Sequence, residues 1–99
     1  MDLFMIRRDR GWKTPEELEA AAKRSTEVAE SDFPDEIRWI RSYVVAEESG
    51  ELGTVCIYEA SDADAVRRHA GEVGMPADVV LPIVDTVIVR PDPQTVAAA

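Results

Sequence analysis

IRWIRSYVVAEESGELGTVCIYE, residues 37–59, decides the fold. Ile37 to Glu47 is dense in β-branched and aromatic residues and predicts a long strand. Gly50 and Gly53 bracket a turn, and Thr54 to Glu59 resumes the same composition, so the whole segment predicts an antiparallel hairpin. On its N-terminal side, Thr14 is suited to an N-cap, Pro15 to the first helical position and Glu17 to a capping box. Leu18, Ala21, Ala22, Ser25, Val28 and Ala29 follow at helical spacing with acidic residues between them, until Pro34 stops the pattern. Before that helix, Leu3 to Arg7 reads as a short buried strand, broken by Asp9, Gly11 and Thr14-Pro15. On the C-terminal side, Ser61 or Asp62 caps a second helix running to about Val73, with Ala65, Val66, His69, Ala70 and Val73 on its inner stripe. Gly74 stands where a left-handed C-cap is wanted, Pro76 forces the chain out of helix, and Pro82 to Val89 predicts an apolar last strand.

The resulting order, β-α-β-β-α-β, is the split βαβ pattern of ferredoxin-like α+β domains, with one four-stranded antiparallel sheet and both helices on one face. With 99 residues there is room for one core. Residues 1–90 are expected to form that single domain, and residues 91–99, rich in proline and alanine, a loosely held tail.

Charge narrows the function classes. Lys and Arg total 11 against 20 Asp and Glu, a formal net charge of -9. Between Glu16 and Glu36, eight acidic residues face two basic ones. Such a surface repels phosphate backbones and anionic headgroups, so neither nucleic acid nor membrane is expected as a partner. The acidic first helix reads as a solvated face. No apolar run approaches the roughly 18–20 residues of a membrane span. A lone cysteine, Cys56, makes no intrachain disulfide, and the N-terminus lacks a signal-peptide layout, so a cytoplasmic location is expected.

Side chains alternate across a strand, so each strand divides into two rows. In the hairpin these are Thr54, Cys56 and Tyr58 against Val55, Ile57 and Glu59, and Ile37, Trp39, Arg41, Tyr43 and Val45 against Arg38, Ile40, Ser42 and Val44. Large apolar residues occupy both rows, and Phe4/Ile6, Ile40/Val44 and Val84/Ile88 carry the same double pattern in three strands. A helix-free face that is apolar needs a cover, and a second copy packed sheet to sheet supplies it, giving a dimeric α+β barrel. Ile40 and Val44 are the positions expected to meet that copy.

Motifs for chemistry are few. There is no phosphate-binding glycine loop, no Cys-x-x-Cys, no paired histidines and no nucleophile elbow. Cys56, His69 and a carboxylate such as Glu59 or Asp62 form a plausible ligand set for a borderline metal. The packing alternative comes ahead of it: a lone strand cysteine serves as a small buried hydrophobe, and a lone histidine on a helix edge caps a packing gap or bonds a backbone carbonyl. Trp39 and Tyr43 suit either a pocket wall or a core.

Beyond these readings, Trp39-x-x-Ser42-Tyr43-Val44, Cys56-x-Tyr58-x-Ala60, Arg68-His69-Ala70-x-x-x-Gly74-x-Pro76-Ala77-Asp78 and Asp92-Pro93 together resemble a family of small bacterial proteins. That family was long catalogued as a domain of unknown function and includes a nickel-binding member. The resemblance implies a ferredoxin-like fold, a homodimer packed through its sheets, and binding of nickel or another divalent transition metal. Carried over by position, Cys56, Tyr58 and His69 are the implied metal ligands. Two departures stand out: Glu59-Ala60-Ser61-Asp62 replaces the family's Ala-Pro-acidic approach to the second helix, and the hairpin around Glu47 to Gly53 is lengthened.

The expected function is therefore a small dimeric metal-binding or ligand-binding protein without catalysis. The alternative is a dimeric α+β-barrel enzyme of small monooxygenase or isomerase type, with His69 or Tyr58 moving a proton. A third reading makes the acidic helix a docking surface for a basic partner.

Overall fold

The computed structural model describes residues 1–93. Its elements are β1 (Asp2–Trp12), α1 (Pro15–Asp32), β2 (Ile37–Ala46), β3 (Leu52–Ala60), α2 (Ala63–Val73) and β4 (Val79–Pro82). The sheet is antiparallel with strand order β2-β3-β1-β4, which is the ferredoxin-like arrangement expected from the element order. Local chemistry sets most boundaries. Thr14 accepts from the Glu17 N–H at 3.2 Å while the Glu17 carboxylate accepts from the Lys13 N–H at 2.8 Å, closing the start of α1. Asp62 accepts from the Ala65 N–H at 2.8 Å to start α2, and Gly74, at φ 83°, ends it in the left-handed region.

Both helices cover one side of the sheet. Phe4 and Ile6 of β1, Cys56 and Tyr58 of β3, and Val80 of β4 point into a core completed by Phe33, Ile37, Ala65 and Val66. Leu3, Met5, Val55 and Ile57, in the alternate rows, are only half-buried on the helix-free side.

Three features differ from the sequence-based expectations. First, β1 does not stop at Arg7. The residues read as breakers are absorbed in an irregularity between Arg8 and Trp12, where Arg10 takes φ 48°, and pairing resumes at Trp12 with Leu52. Second, β2 carries a bulge between Trp39 and Arg41. Ile40 is the extra residue, so the alternation slips by one: Ser42 and Val44 fall on the helix-covered side with Trp39, while Arg41 and Tyr43 fall on the open side. Third, the last strand is Val79–Pro82 rather than Pro82 to Val89. It pairs Val79 with Arg7 and Pro82 with Phe4, and the Ile83 N–H adds one bond to the Leu3 carbonyl. β1 starts at Asp2, so the antiparallel register then runs off its end, and residues 84–89 find no strand to pair with among the described residues.

The chain instead crosses the open side of the sheet. The Asp92 carboxylate accepts from Tyr43 Oη at 2.7 Å and from Arg41 Nη1 at 3.2 Å, on the edge strand farthest from β4. Val84, Val87, Ile88 and Val89 lie on this strap with their side chains exposed. Of the tail expected to be loosely held, residues 94–99 lie outside the described residues.

Candidate functional site

The three carried-over residues all lie on the helix-covered side of the sheet. Cys56 and Tyr58 are successive inward residues of β3, and His69 comes to them from the inner stripe of α2. Tyr58 is the common neighbour, with its ring centroid 5.9 Å from that of His69. The carboxylates proposed alongside them are elsewhere. Asp62 is spent on capping α2, and Glu59 is in the opposite row of β3, near Arg38 at 3.9 Å. Alternation along the strand, which unites Cys56 with Tyr58, excludes Glu59 from the same site.

Each of the three is held by its surroundings. The Cys56 thiol accepts from Ser42 Oγ at 3.0 Å and donates to Thr54 Oγ1 at 3.3 Å, while Trp39 Nε1 donates to Ser42 Oγ at 2.8 Å. This line of bonds exists because the β2 bulge turns Ser42 inward, opposite Cys56. Tyr58 Oη shares a hydrogen bond with Ser25 Oγ at 3.2 Å, and the Tyr58 ring stacks on Trp39 with centroids 6.3 Å apart. Burial pushes the phenol up from its ordinary value, partly offset by the Ser25 hydroxyl and the Arg8 charge, so it stays protonated at neutral pH. His69 is wholly buried, with Nε2 3.0 Å from the Ser25 carbonyl oxygen and its ring edge-on to Phe33. Burial pushes the imidazole down despite that carbonyl, and the Arg8 charge pushes the same way, so His69 is neutral. Its Nδ1 is buried and has no hydrogen-bond partner among the described residues.

Cys56 and Tyr58 line a cavity of about 250 Å3 between α1 and the sheet; His69 does not. The cavity walls include Trp12, Leu18, Ser25, Trp39, Val44 and Met75. Arg8 also lines it, and the sequence reading overlooked this residue. Its signal was present: Arg8 continues the inward row of Phe4 and Ile6, a charge where an apolar residue is expected. Reading the strand as ended at Arg7 hid it. The side chain is 1% exposed; Nη1 donates to the Pro76 carbonyl at 2.7 Å, and the guanidinium lies 5.9 Å from the Tyr58 ring centroid.

As donors, a thiol, an imidazole nitrogen and a phenol oxygen suit nickel, copper or zinc in kind. In number they fall short of a closed site. Among the described residues, no three His, Cys, Asp or Glu side chains gather into a metal-ligating group.

Comparison with known proteins supplies the lineage. The profile described as nickel responsive protein SCO4226-like matches residues 4–83. The chain belongs to the SCO4226-like family. The crystal structure of SCO4226 from Streptomyces coelicolor A3(2) superposes with a TM-score of 0.68 at 20% identity, covering 86% of this chain and 99% of that one. At that identity the SCO4226 likeness is one of fold. A comparison with curated protein sequences returned no match. The match to the SCO4226-like family runs from within β1 to the end of β4, and so includes Cys56, Tyr58 and His69.

Proposed function

We propose that this chain is a small, non-catalytic, homodimeric binding protein for nickel or a similar divalent transition metal, with Cys56, His69 and Tyr58 as its donors. The observation that carries the reading is that a family described as nickel responsive matches a chain whose one cysteine and one histidine flank a single tyrosine on the same side of the sheet. His69 is already neutral and keeps Nδ1 free of partners among the described residues, as a metal-binding imidazole requires. Bound metal would supply a Lewis-acidic centre that draws a thiolate from Cys56; Tyr58 would join it as an oxygen donor. Proton transfer by His69 has less support, because the ring is away from the cavity and its Nε2 is engaged by Ser25.

Titration calorimetry with nickel chloride on metal-stripped wild type, Cys56→Ser and His69→Ala tests the assignment. Wild type is expected to bind with release of protons, and each variant to bind at least about tenfold more weakly. Equal affinity in all three overturns the metal site. Loss in Cys56→Ser alone removes His69 from it.

A further inference from the structure

Arg8 is a buried cation. Among the described residues no carboxylate lies within 4.0 Å of it, and Nη2, buried like the rest of the side chain, has no hydrogen-bond partner. Arginine does not escape by losing its proton. An unpaired buried charge is destabilising, and in a chain carrying 20 acidic residues a counterion was available to the fold. A methionine or leucine in place of Arg8 would continue the Phe4–Ile6 row at no such penalty.

We propose that the cavity beneath α1 binds a small organic carboxylate, with Arg8 as its anchor. The guanidinium presents a planar fork that matches a carboxylate through two parallel hydrogen bonds, and the fork has one arm unused. The rest of the cavity selects the tail. Trp12, Leu18, Trp39, Val44 and Met75 offer hydrocarbon and aromatic surface, which a bare inorganic anion would leave unfilled. The volume of about 250 Å3 exceeds the ~150 Å3 that accommodates benzene in an apolar cavity, so an aryl carboxylate or a short-chain fatty acid fits. Ser25, Thr54 and the Tyr58 hydroxyl add hydrogen-bonding groups along the wall. Glu19 lines the same cavity from α1 and opposes an anion, but it is solvent-exposed and screened, whereas Arg8 acts from the dry interior.

This proposal does not rest on the nickel reading, although Cys56 and Tyr58 line the same cavity. The test therefore runs in the presence of a chelator. Benzoate and hexanoate are titrated into the full chain and followed by calorimetry and thermal shift, beside benzamide and inorganic phosphate. The expected result is binding and a raised Tm with the carboxylates, and affinity at least about tenfold lower for benzamide and phosphate. Arg8→Met is expected to lose carboxylate binding by a similar factor. Because that variant also gives up the bond to Pro76, Ala22→Leu serves as a second one: it fills the cavity from α1, leaves Arg8 in place, and is expected to abolish binding. No binding of either carboxylate to wild type overturns the proposal, as does benzamide or phosphate binding equally well. Undiminished binding by Ala22→Leu moves the ligand out of this cavity and overturns it too. A failed nickel titration leaves this result standing, and the reverse holds.

Discussion

His69 shows how much one buried side chain reports about its surroundings. The fold encloses the ring completely, bonds Nε2 to the Ser25 carbonyl and stations Arg8 close enough to disfavour a second charge. The folded-state value is therefore below the unfolded one, and on acidification the unfolded chain takes up the proton first. Stability contributed by the neutral ring is complete above about pH 6.5 and declines as the pH falls through that value toward the depressed one. The slope from this one proton is at most about 1.4 kcal/mol per pH unit. Thermal unfolding from pH 7 to pH 5 is expected to show a steeper loss of Tm in wild type than in His69→Gln. Parallel profiles would place the acid sensitivity in other groups. Position 56 makes the complementary point. Cys56 is buried in this chain, yet its sulfur both accepts a hydrogen bond from Ser42 and donates one to Thr54, more than a small apolar residue would do there.

Among the secondary-structure elements, the helices are the most locally encoded. α1 has a single buried residue, Ser25, and its acidic face is solvated, so its start relies on Thr14, Pro15 and Glu17 more than on packing. Thr14→Ala removes the acceptor for the Glu17 N–H and is expected to lower stability by about 1 kcal/mol, roughly 4–8 °C in Tm for a domain of this size. Glu27→Gln, on the exposed face of the same helix, is the matched control and is expected to leave Tm unchanged. Gly74→Ala puts a Cβ on a residue at φ 83° and is expected to destabilise by a similar ~1 kcal/mol. Differential scanning calorimetry on the three variants checks the order. A Thr14→Ala variant as stable as Glu27→Gln would show that packing, not capping, holds the helix start.

For the molecule as a whole, the open side of the sheet dominates. Leu3, Met5, Val55 and Ile57 are half-buried there, and the strap crossing them carries Val84 at 95% and Ile88 at 67% exposure. Contiguous apolar surface of this kind favours a partner, and the proposed partner is a second copy. Of the residues expected from the strand rows, only Val84 and Ile88 lie on the strap over this open side. Phe4 and Ile6 are in the core, Val44 lines the cavity beneath α1, and Ile40 occupies the bulge. Light scattering is expected to give twice the 10.9 kDa chain mass, and Val84→Asp with Ile88→Asp to halve it. A wild type that runs as a 10.9 kDa particle at micromolar concentration would end the dimer proposal.

What the sequence determined by itself was the element order, the hairpin, both helix starts, the Gly74 stop and hence the ferredoxin-like fold. Each of these signals is contained in a few neighbouring residues: a cap, a proline, a glycine pair, a period of two or 3.6. It also put Cys56 and Tyr58 on one face, because alternation is strict along an unbroken strand. The tertiary structure alone decided which residues look inward after an irregularity. One extra residue at Ile40 turns Ser42 toward Cys56 and Tyr43 away, and the irregularity after Arg8 keeps β1 going to Trp12. It alone decided that Glu59 and Asp62 leave the cysteine, that His69 reaches Tyr58 without reaching the cavity, and that Arg8 lies buried with no counterion among the described residues. The last strand follows the same logic. Pro82 to Val89 has the composition of a strand, but a strand exists only where another offers its N–H and C=O groups, and β1 offers them only as far as Leu3.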